Sequence, residues 1–366
     1  MNDYKKEFQE ARASISEIDK EIAQLFEKRM EAAEKVALYK KANGIPVEDV
    51  VRENQLIEAN SQLVNNDEIR SYYVNFLKNT MKLSKDYQHS IIDGTRVAFS
   101  GVKGAFAEIA VKRIFPDAVC VPYSDFKSAY KAVENGECEI AVLPIENSFE
   151  GDVARVMDLT YFGSLFINGV YDMAVEQNLF STKDADRRTI KKVISHPQAL
   201  GQCADYVEEN GYETEETVNT ASAAKKVAEL NDKAVGVICS LEAGNEYGLK
   251  LIDRKINKDS TNTTRFAVFS RVPRDNTPER NNFIVLFTVR DEAGSLSKAI
   301  SVFGECGYNL KALKSRPSKD VIWNYYFFLE GEGNLTAEAE AAMLSRLSEV
   351  CTNVRLVGRY PKEQAI

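Results

Sequence analysis

The chain is predicted to fold as three successive units: an all-helical segment, an α/β region, and a closing α+β region. Three observations carry that expectation. Phe8, Ala11, Ile15, Ile18, Ile22 and Leu25 recur at steps of three and four, the period of one helix face. From Arg96, short apolar runs that end in polar residues alternate with helical stretches. Beyond residue 282 the order becomes strand, helix, strand, strand, helix, strand, a split βαβ pattern. At 366 residues the chain is too long for one ordinary core, so two or three domains are expected.

The first helix is predicted over residues 5–40, because no Gly or Pro interrupts it before Gly44 and Pro46. A second runs from Val47 to Leu63, and after the turn at Asn65-Asn66-Asp67 a third reaches about Gln88. Three such helices have little core of their own, so pairing with a second copy is expected. In the α/β region the strands are RVAFSG, IAVLPIEN, KVISHP, AVGVICS and TRFAVFSR, and helices fall at AFAEIAVKRIF, 126–135, 198–209 and 220–230. That alternation predicts a largely parallel sheet with sites at the carboxyl ends of its strands. VPRDNTPERNN (272–282), with two prolines and many charges, reads as a linker. The last region is predicted as strand 283–290, helix 295–305, strands 308–316 and 321–330, helix 336–349 and strand 353–360.

Composition narrows the function. A net charge of −8 argues against a nucleic-acid partner. The start, MNDYKKEFQE, has no apolar signal core, and no apolar run reaches the roughly 18 residues that span a bilayer. A cytoplasmic protein without a membrane partner is expected. The six cysteines are scattered with no CxxC pair, which reads as reduced thiols. His89 and His196 are the two histidines, and nothing near either supports a metal site or a catalytic triad. No metal and no cofactor are expected.

Cations on the helical stripe need an explanation. Arg29 lies on the apolar face, and Lys40 follows 11 residues later, about 16 Å on and nearly on the same side. Inward cations require anionic partners, which a dicarboxylate ligand supplies. Arg12 precedes Arg29 by 17 residues, roughly 25 Å, so it reaches such a site only in an antiparallel partner chain. Ser84 and Gln88 stand one turn apart on one face. Over about residues 5–90 the segment resembles the all-helical chorismate mutase domains, matching at Arg12, Arg29, Lys40, Asp49, Arg52, Glu53, Ser84 and Gln88. The resemblance implies an intertwined dimer. In it Arg12 and Arg29 grip carboxylates, Lys40 and Gln88 donate to the breaking ether oxygen, and Glu53 fixes the ring hydroxyl. Asp49, Arg52 and Ser84 support binding. The rearrangement of chorismate to prephenate needs no nucleophile, metal or cofactor, only a held conformer and a stabilised oxygen.

Three polar clusters mark the α/β region. Asn262-Thr263-Thr264-Arg265-Phe266 sets hydroxyls beside a guanidinium where a strand begins, equipment for a small anionic substrate. PIENSFEGDV (144–153) starts where an apolar strand ends, and SHPQALGQC (195–203) puts Gln198 and Gln202 one helical turn apart. The glycines of GVKGAFAEIA (101–110) form a strand-to-helix turn with no P-loop Lys-Ser/Thr after it. Together these blocks resemble the prephenate dehydratase family over about residues 95–270. The family usually has a proline at Val102 and a serine at Ala107. The resemblance implies two α/β lobes, like periplasmic binding proteins, closing on prephenate, which loses carbon dioxide and water to give phenylpyruvate. Thr264 is the implied proton donor. Arg265 would hold a carboxylate, Phe266 would pack under the ring, and Glu146, Asn147, Ser148, Ser195, Gln198 and Gln202 would be polar contacts.

EAGSLSKAI (292–300) opens a helix and LKSRP (313–317) ends a strand. With the βαββαβ order, these resemble the amino-acid-binding ACT domain. The resemblance implies phenylalanine as effector, held between protomers by Gly294, Ser295, Leu296, Ser315, Arg316 and Pro317. Ser295 and Lys314 depart from the usual alanine and glutamate, and the reversed charge predicts altered sensitivity. The expected whole is a homodimer or homotetramer of phenylalanine biosynthesis, with a mutase domain over 1–90, a dehydratase domain over 95–272 and a regulatory domain over 283–360. The competing expectations are a dehydratase acting mainly on arogenate, and a non-catalytic amino-acid sensor.

Overall fold

A computed structural model describes residues 2–257, 262–273, 281–318 and 325–366. They form two compact units, Met1–Thr95 and Arg96–Ile366.

The first unit is three helices, α1 (Asn2–Asn43), α2 (Val50–Ser61) and α3 (Asp67–Asp93). Nothing breaks α1 until Gly44, whose φ of +63° turns the chain as a left-handed residue must. The carboxylate of Asp49 accepts the Arg52 amide to cap α2, and the Asn66 side chain accepts that of Glu68 to cap α3. The second helix is shorter than expected because Pro46 and Val47 belong to the connection, where Val47 is buried. The core is small, built on Ala33, Ala37, Val47 and Met81. Along the first half of α1, Phe8, Ile15, Ile18 and Leu25 are all more than half exposed.

The second unit begins with β1 (Arg96–Ser100), α4 (Phe106–Ile114), β2 (Val119–Tyr123), α5 (Phe126–Glu134), β3 (Ile140–Asn147), β4 (Gly151–Asp152), α6 (Ala154–Phe162) and β5 (Phe166–Ala174). The chain then crosses to a second lobe. This contains β6 (Asn178–Ser181), β7 (Lys192–Ser195), α7 (Pro197–Gln202), α8 (Ala204–Glu209), β8 (Glu213–Glu216), α9 (Thr220–Leu230), β9 (Val235–Cys239), α10 (Leu241–Glu246) and β10 (Lys250–Asp253). It returns as β11 (Thr263–Ser270) and ends with β12 (Asn282–Val289), α11 (Ser295–Glu305), β13 (Asn309–Pro317), β14 (Tyr325–Glu332), α12 (Ala337–Val350), β15 (Cys351–Tyr360) and β16 (Gln364–Ala365). Residues 274–280 of the expected linker and 321–324 of the expected strand 321–330 lie outside the described residues.

The larger sheet runs β13-β14-β12-β15-β5-β11-β3-β1-β2, with β16 on β5 and β4 on β3, and the smaller runs β10-β6-β9-β7-β8. The sheets are mixed, which corrects the largely parallel expectation. β1 pairs in parallel with β2 and β3, and β7 with β8 and β9. β11, however, is antiparallel to both β3 and β5. Parallel neighbours need a crossover helix, and β11 arrives from the other lobe without one. The single helix expected over 198–209 is two, parted at Cys203, with the poor helix former Gly201 in the turn before it.

The βαββαβ elements do not stand apart. Gly358 of β15 pairs with Ile167 of β5, and a Cβ at Gly358 would lie 2.3 Å from the Ile167 carbonyl oxygen, so only glycine allows the approach. Leu143, Ile167 and Phe269 share one core with Ile284, Leu286 and Phe328 of the closing strands. No helix among the described residues is long and apolar enough to cross a membrane.

Candidate functional site

In the helical unit a cavity of about 260 Å³ is lined by seven of the eight expected residues: Arg29, Lys40, Asp49, Arg52, Glu53, Ser84 and Gln88. The eighth, Arg12, lies far along α1, with its guanidinium 5.5 Å from the centre of the Phe8 ring. Arg29 bridges α1 to α3, donating to the Ser84 hydroxyl and, at 3.3 Å, to the Thr80 carbonyl. Burial lowers its pKa from the ordinary arginine value. The Lys40 ammonium donates to the Val47 carbonyl at 2.7 Å. Lys85 also lines the cavity and holds Glu53 at 2.9 Å. The sequence reading missed it, although it stands one residue from Ser84 and three from Gln88. Gln88 donates to the Ser84 carbonyl at 3.3 Å, and its Oε1 is buried without a partner among the described residues. Of the four cations on this cavity, Lys85 is paired with Glu53, while Arg29, Lys40 and Arg52 have no carboxylate partner among the described residues, which suits a compact dianion.

In the α/β unit two adjoining cavities, of about 220 and 720 Å³, share His196, Gln198 and Gln202. Asn147, Thr264 and Phe106 of the first lobe and Gln177, Asn219 and Thr220 beyond it line the smaller one. Phe149, Glu150, Asn257 and Asn262 line the larger. The key contact is cross-strand: Thr264 of β11 pairs with Asn147 of β3. Asn147 Nδ2 donates to Thr264 Oγ1 at 2.9 Å and to Asn262 Oδ1 at 3.1 Å. Its Oδ1 accepts the amides of Phe149 and Glu150 at 3.0 and 3.2 Å, which fixes the amide's orientation. Thr264 Oγ1 accepts this hydrogen bond and donates to nothing among the described residues, so its proton can be given to something in the cleft. His196 caps α7, accepting the Gln198 amide at 3.2 Å.

Five expected contacts face elsewhere. Arg265 pairs across the strands with Glu146. Successive residues of a strand point to opposite faces, so this pair turns away from the Thr264–Asn147 pair. Arg265 donates to Glu146 at 3.1 Å, to Glu330 at 2.8 and 3.0 Å, and to Glu363 at 3.0 Å. A guanidinium so occupied does not line the cleft, and neither does Glu146. Phe266 is 2% exposed, in a core cluster with Val97, Phe99 and Ala110. Ser195 is buried and donates to the Ile238 carbonyl at 2.6 Å. Ser148 Oγ accepts the Thr263 amide at 3.0 Å, so it ties the PIENSFEGDV loop to β11.

Of the C-terminal motif region, Lys314 joins the same ion pairs, and Arg316 makes a separate one. Lys314 of β13 holds Glu146 at 2.9 Å and also pairs with Asp152. Arg316 donates to Asp158 of α6 at 2.8 Å, and Tyr326 joins it at 2.9 Å. Ser315 and Pro317 lie beside it in β13, while Gly294, in a left-handed conformation (φ +83°), precedes Ser295 and Leu296 at the start of α11. Burial raises the Glu330 carboxyl, but the hydrogen bonds and charge of Arg265 outweigh it and hold the pKa well below the ordinary 4.5. A depressed carboxylate stabilises the fold above its unfolded pKa and loses that contribution as pH falls towards the folded value. Glu330→Gln is therefore expected to cost about 3–5 kcal/mol at pH 7. The gap to the unaltered chain should narrow as pH falls below 4.5, which denaturant melts at pH 7 and pH 3.5 will measure.

Two family models match the chain: "Chorismate mutase type II" over residues 11–89 and "Prephenate dehydratase" over 97–274. The bifunctional chorismate mutase/prephenate dehydratase of Enterobacter agglomerans is 30% identical over 373 residues, covering 97% of this chain and 96% of that protein. Arogenate dehydratase 2 of Petunia hybrida is 33% identical over 302 residues, 77% of this chain and 76% of that one. Among solved structures, prephenate dehydratase of Arthrobacter aurescens in complex with L-Phe superposes with a TM-score of 0.68 at 26% identity, covering 73% of this chain and 90% of that one.

Proposed function

The chain belongs to the bifunctional chorismate mutase/prephenate dehydratase family, and on that premise we propose that its two units carry successive reactions of phenylalanine biosynthesis. Chorismate rearranges to prephenate in the helical cavity, within a mutase domain over 1–90. Prephenate loses carbon dioxide and water in the α/β cleft, within a dehydratase domain over 95–272. Arg29 and Arg52 meet the carboxylates of chorismate, Lys40 and Gln88 donate to the ether oxygen, and Glu53 takes the ring hydroxyl. Arg12 completes the site from a second copy, a reading supported by the bare apolar stripe along the first half of α1.

For the dehydratase step, the observation that carries the reading is the Asn147–Thr264 hydrogen bond. The bond from the ring to the departing carboxylate supplies the electron pair that completes the aromatic ring. The C4 hydroxyl leaves as water with a proton from Thr264, and solvent restores that proton. Aromatisation drives the step, so a weak acid in the right place suffices. Among the described residues the two cavities have no lysine or arginine in their walls. Amides and the first turn of α9 at Asn219 and Thr220, which line the smaller cavity, take the carboxylates in place of Arg265.

Residues 283–360 act as an ACT domain that binds phenylalanine through Gly294–Leu296 and Ser315–Pro317 between two protomers. The βαββαβ order, the left-handed Gly294 and the L-Phe-bound relative support this. Membership of an enzyme family leaves no place for the sensor reading. When purified protein is fed chorismate, prephenate should appear first and phenylpyruvate after it. Added phenylalanine should lower the second rate severalfold and spare the first. Absence of prephenate would refute the mutase assignment, and turnover of arogenate in preference to prephenate would reassign the second substrate.

A further inference from the structure

We propose that Gln177 binds the ring hydroxyl of prephenate, the group that leaves as water, and so selects ring acids that carry a hydroxyl opposite the departing carboxylate. The proposal rests on the dehydratase reading above. Gln177 lies where the chain crosses from β5 to β6, and its backbone is tied at both ends. Its amide donates to Asn257 Oδ1 at 3.0 Å, and its carbonyl accepts the Ile256 amide at 2.9 Å. The side chain is almost fully buried, with the residue 2% exposed, and Nε2 donates to Gln202 Oε1 at 3.3 Å. Oε1 is left buried with no hydrogen-bond partner among the described residues.

Such an atom is costly to leave unmet, and its residue lines the cavity that holds Thr264. It is an acceptor, so it can be met only by a donor. Both carboxylates and the keto group of prephenate only accept. The ring hydroxyl is the one O–H donor the substrate brings. Two groups then define the leaving oxygen: it gives its hydrogen to Gln177 Oε1, and its lone pair receives the proton that Asn147 leaves free on Thr264. The opposite need is present too. Asn262 Nδ2, on the wall of the larger cavity, is a buried donor without an acceptor among the described residues, which suits a carboxylate. The product has no ring hydroxyl, so aromatisation leaves Gln177 unmet again and favours release.

The test uses the full chain with Gln177→Met, which keeps length and removes the acceptor, and Gln177→His, whose neutral ring can donate to Gln202 and still accept. For each we would measure kcat/KM for prephenate and the inhibition constant of phenylpyruvate. Gln177→Met should lower kcat/KM by roughly 10- to 100-fold and shift phenylpyruvate inhibition by less than about twofold. Gln177→His should recover most of the loss. The proposal is overturned if phenylpyruvate affinity falls in step with turnover, if turnover in Gln177→Met is unchanged, or if Gln177→His is as impaired as Gln177→Met. Should Gln177→Met fail to fold, the histidine variant alone decides, because it must keep both turnover and product binding. Lack of dehydratase turnover in the unaltered chain would instead remove the underlying function.

Discussion

Thr264→Ala is expected to cut phenylpyruvate formation from prephenate by roughly 10²- to 10⁴-fold, the range lost when a positioned general acid is removed. Prephenate formation from chorismate should stay within experimental error, because Thr264 belongs to a different compact unit from the mutase cavity. The loss should fall mainly on kcat, since the hydroxyl acts as the C4–O bond breaks. Removing it strands no donor: Asn147 Nδ2 loses Thr264 Oγ1 but keeps Asn262 Oδ1 at 3.1 Å and the Thr263 carbonyl at 3.3 Å. Thr264→Ser restores an acceptor and a proton at the same position and should regain most of the rate. If both variants were equally slow, the methyl group or the strand would matter and the acid would not. Full activity in Thr264→Ala would refute the mechanism outright.

The second large effect is expected at Lys40. Lys40→Met should lower mutase turnover by 10²- to 10³-fold or more, the cost of removing one fixed donor from a developing negative charge. Dehydratase turnover of added prephenate should be untouched. Lys40 is the cleaner probe because its only hydrogen bond among the described residues is to the Val47 carbonyl. Arg29→Ala should be at least as damaging, but Arg29 also joins α1 to α3 through Thr80 and Ser84, so part of its effect will be structural. Circular dichroism melts separate the two. A Lys40→Met protein that melts normally and still rearranges chorismate at the original rate would remove Lys40 from the chemistry.

The helical site was largely legible in the sequence because a helix carries its geometry in its numbering. Arg29 to Lys40 and Ser84 to Gln88 are whole turns, so spacing alone places each pair on one side. Lys85 could have been found by the same logic. The cleft was harder to read. Thr264 and Asn147 do face it, but the neighbouring Arg265 and Glu146 do not, and the alternation of a strand already separates 264 from 265. The functional pull of a guanidinium beside a hydroxyl overrode that rule. Nothing local announced that Arg265 would meet Glu330 and Glu363, which lie 65 and 98 residues further along. Gln177 and Asn219 carried no motif. They reach the cavity because the chain leaves one lobe and later returns to it, a tertiary fact with no signature in composition or period. The mixed sheet escaped prediction for the same reason.

The join at Gly358 and Ile167 bears on how this enzyme can be dissected. Ending the chain after β11 would bare the β5 edge, an invitation to self-association. It would also remove two of the acids that neutralise Arg265, one residue from the proposed acid. A shortened protein that lost catalysis would therefore report damage to a shared foundation, and its silence towards phenylalanine would teach nothing about control. Point changes within the intact chain keep that foundation, and any transplanted tail must bring its own counterparts of Glu330 and Glu363.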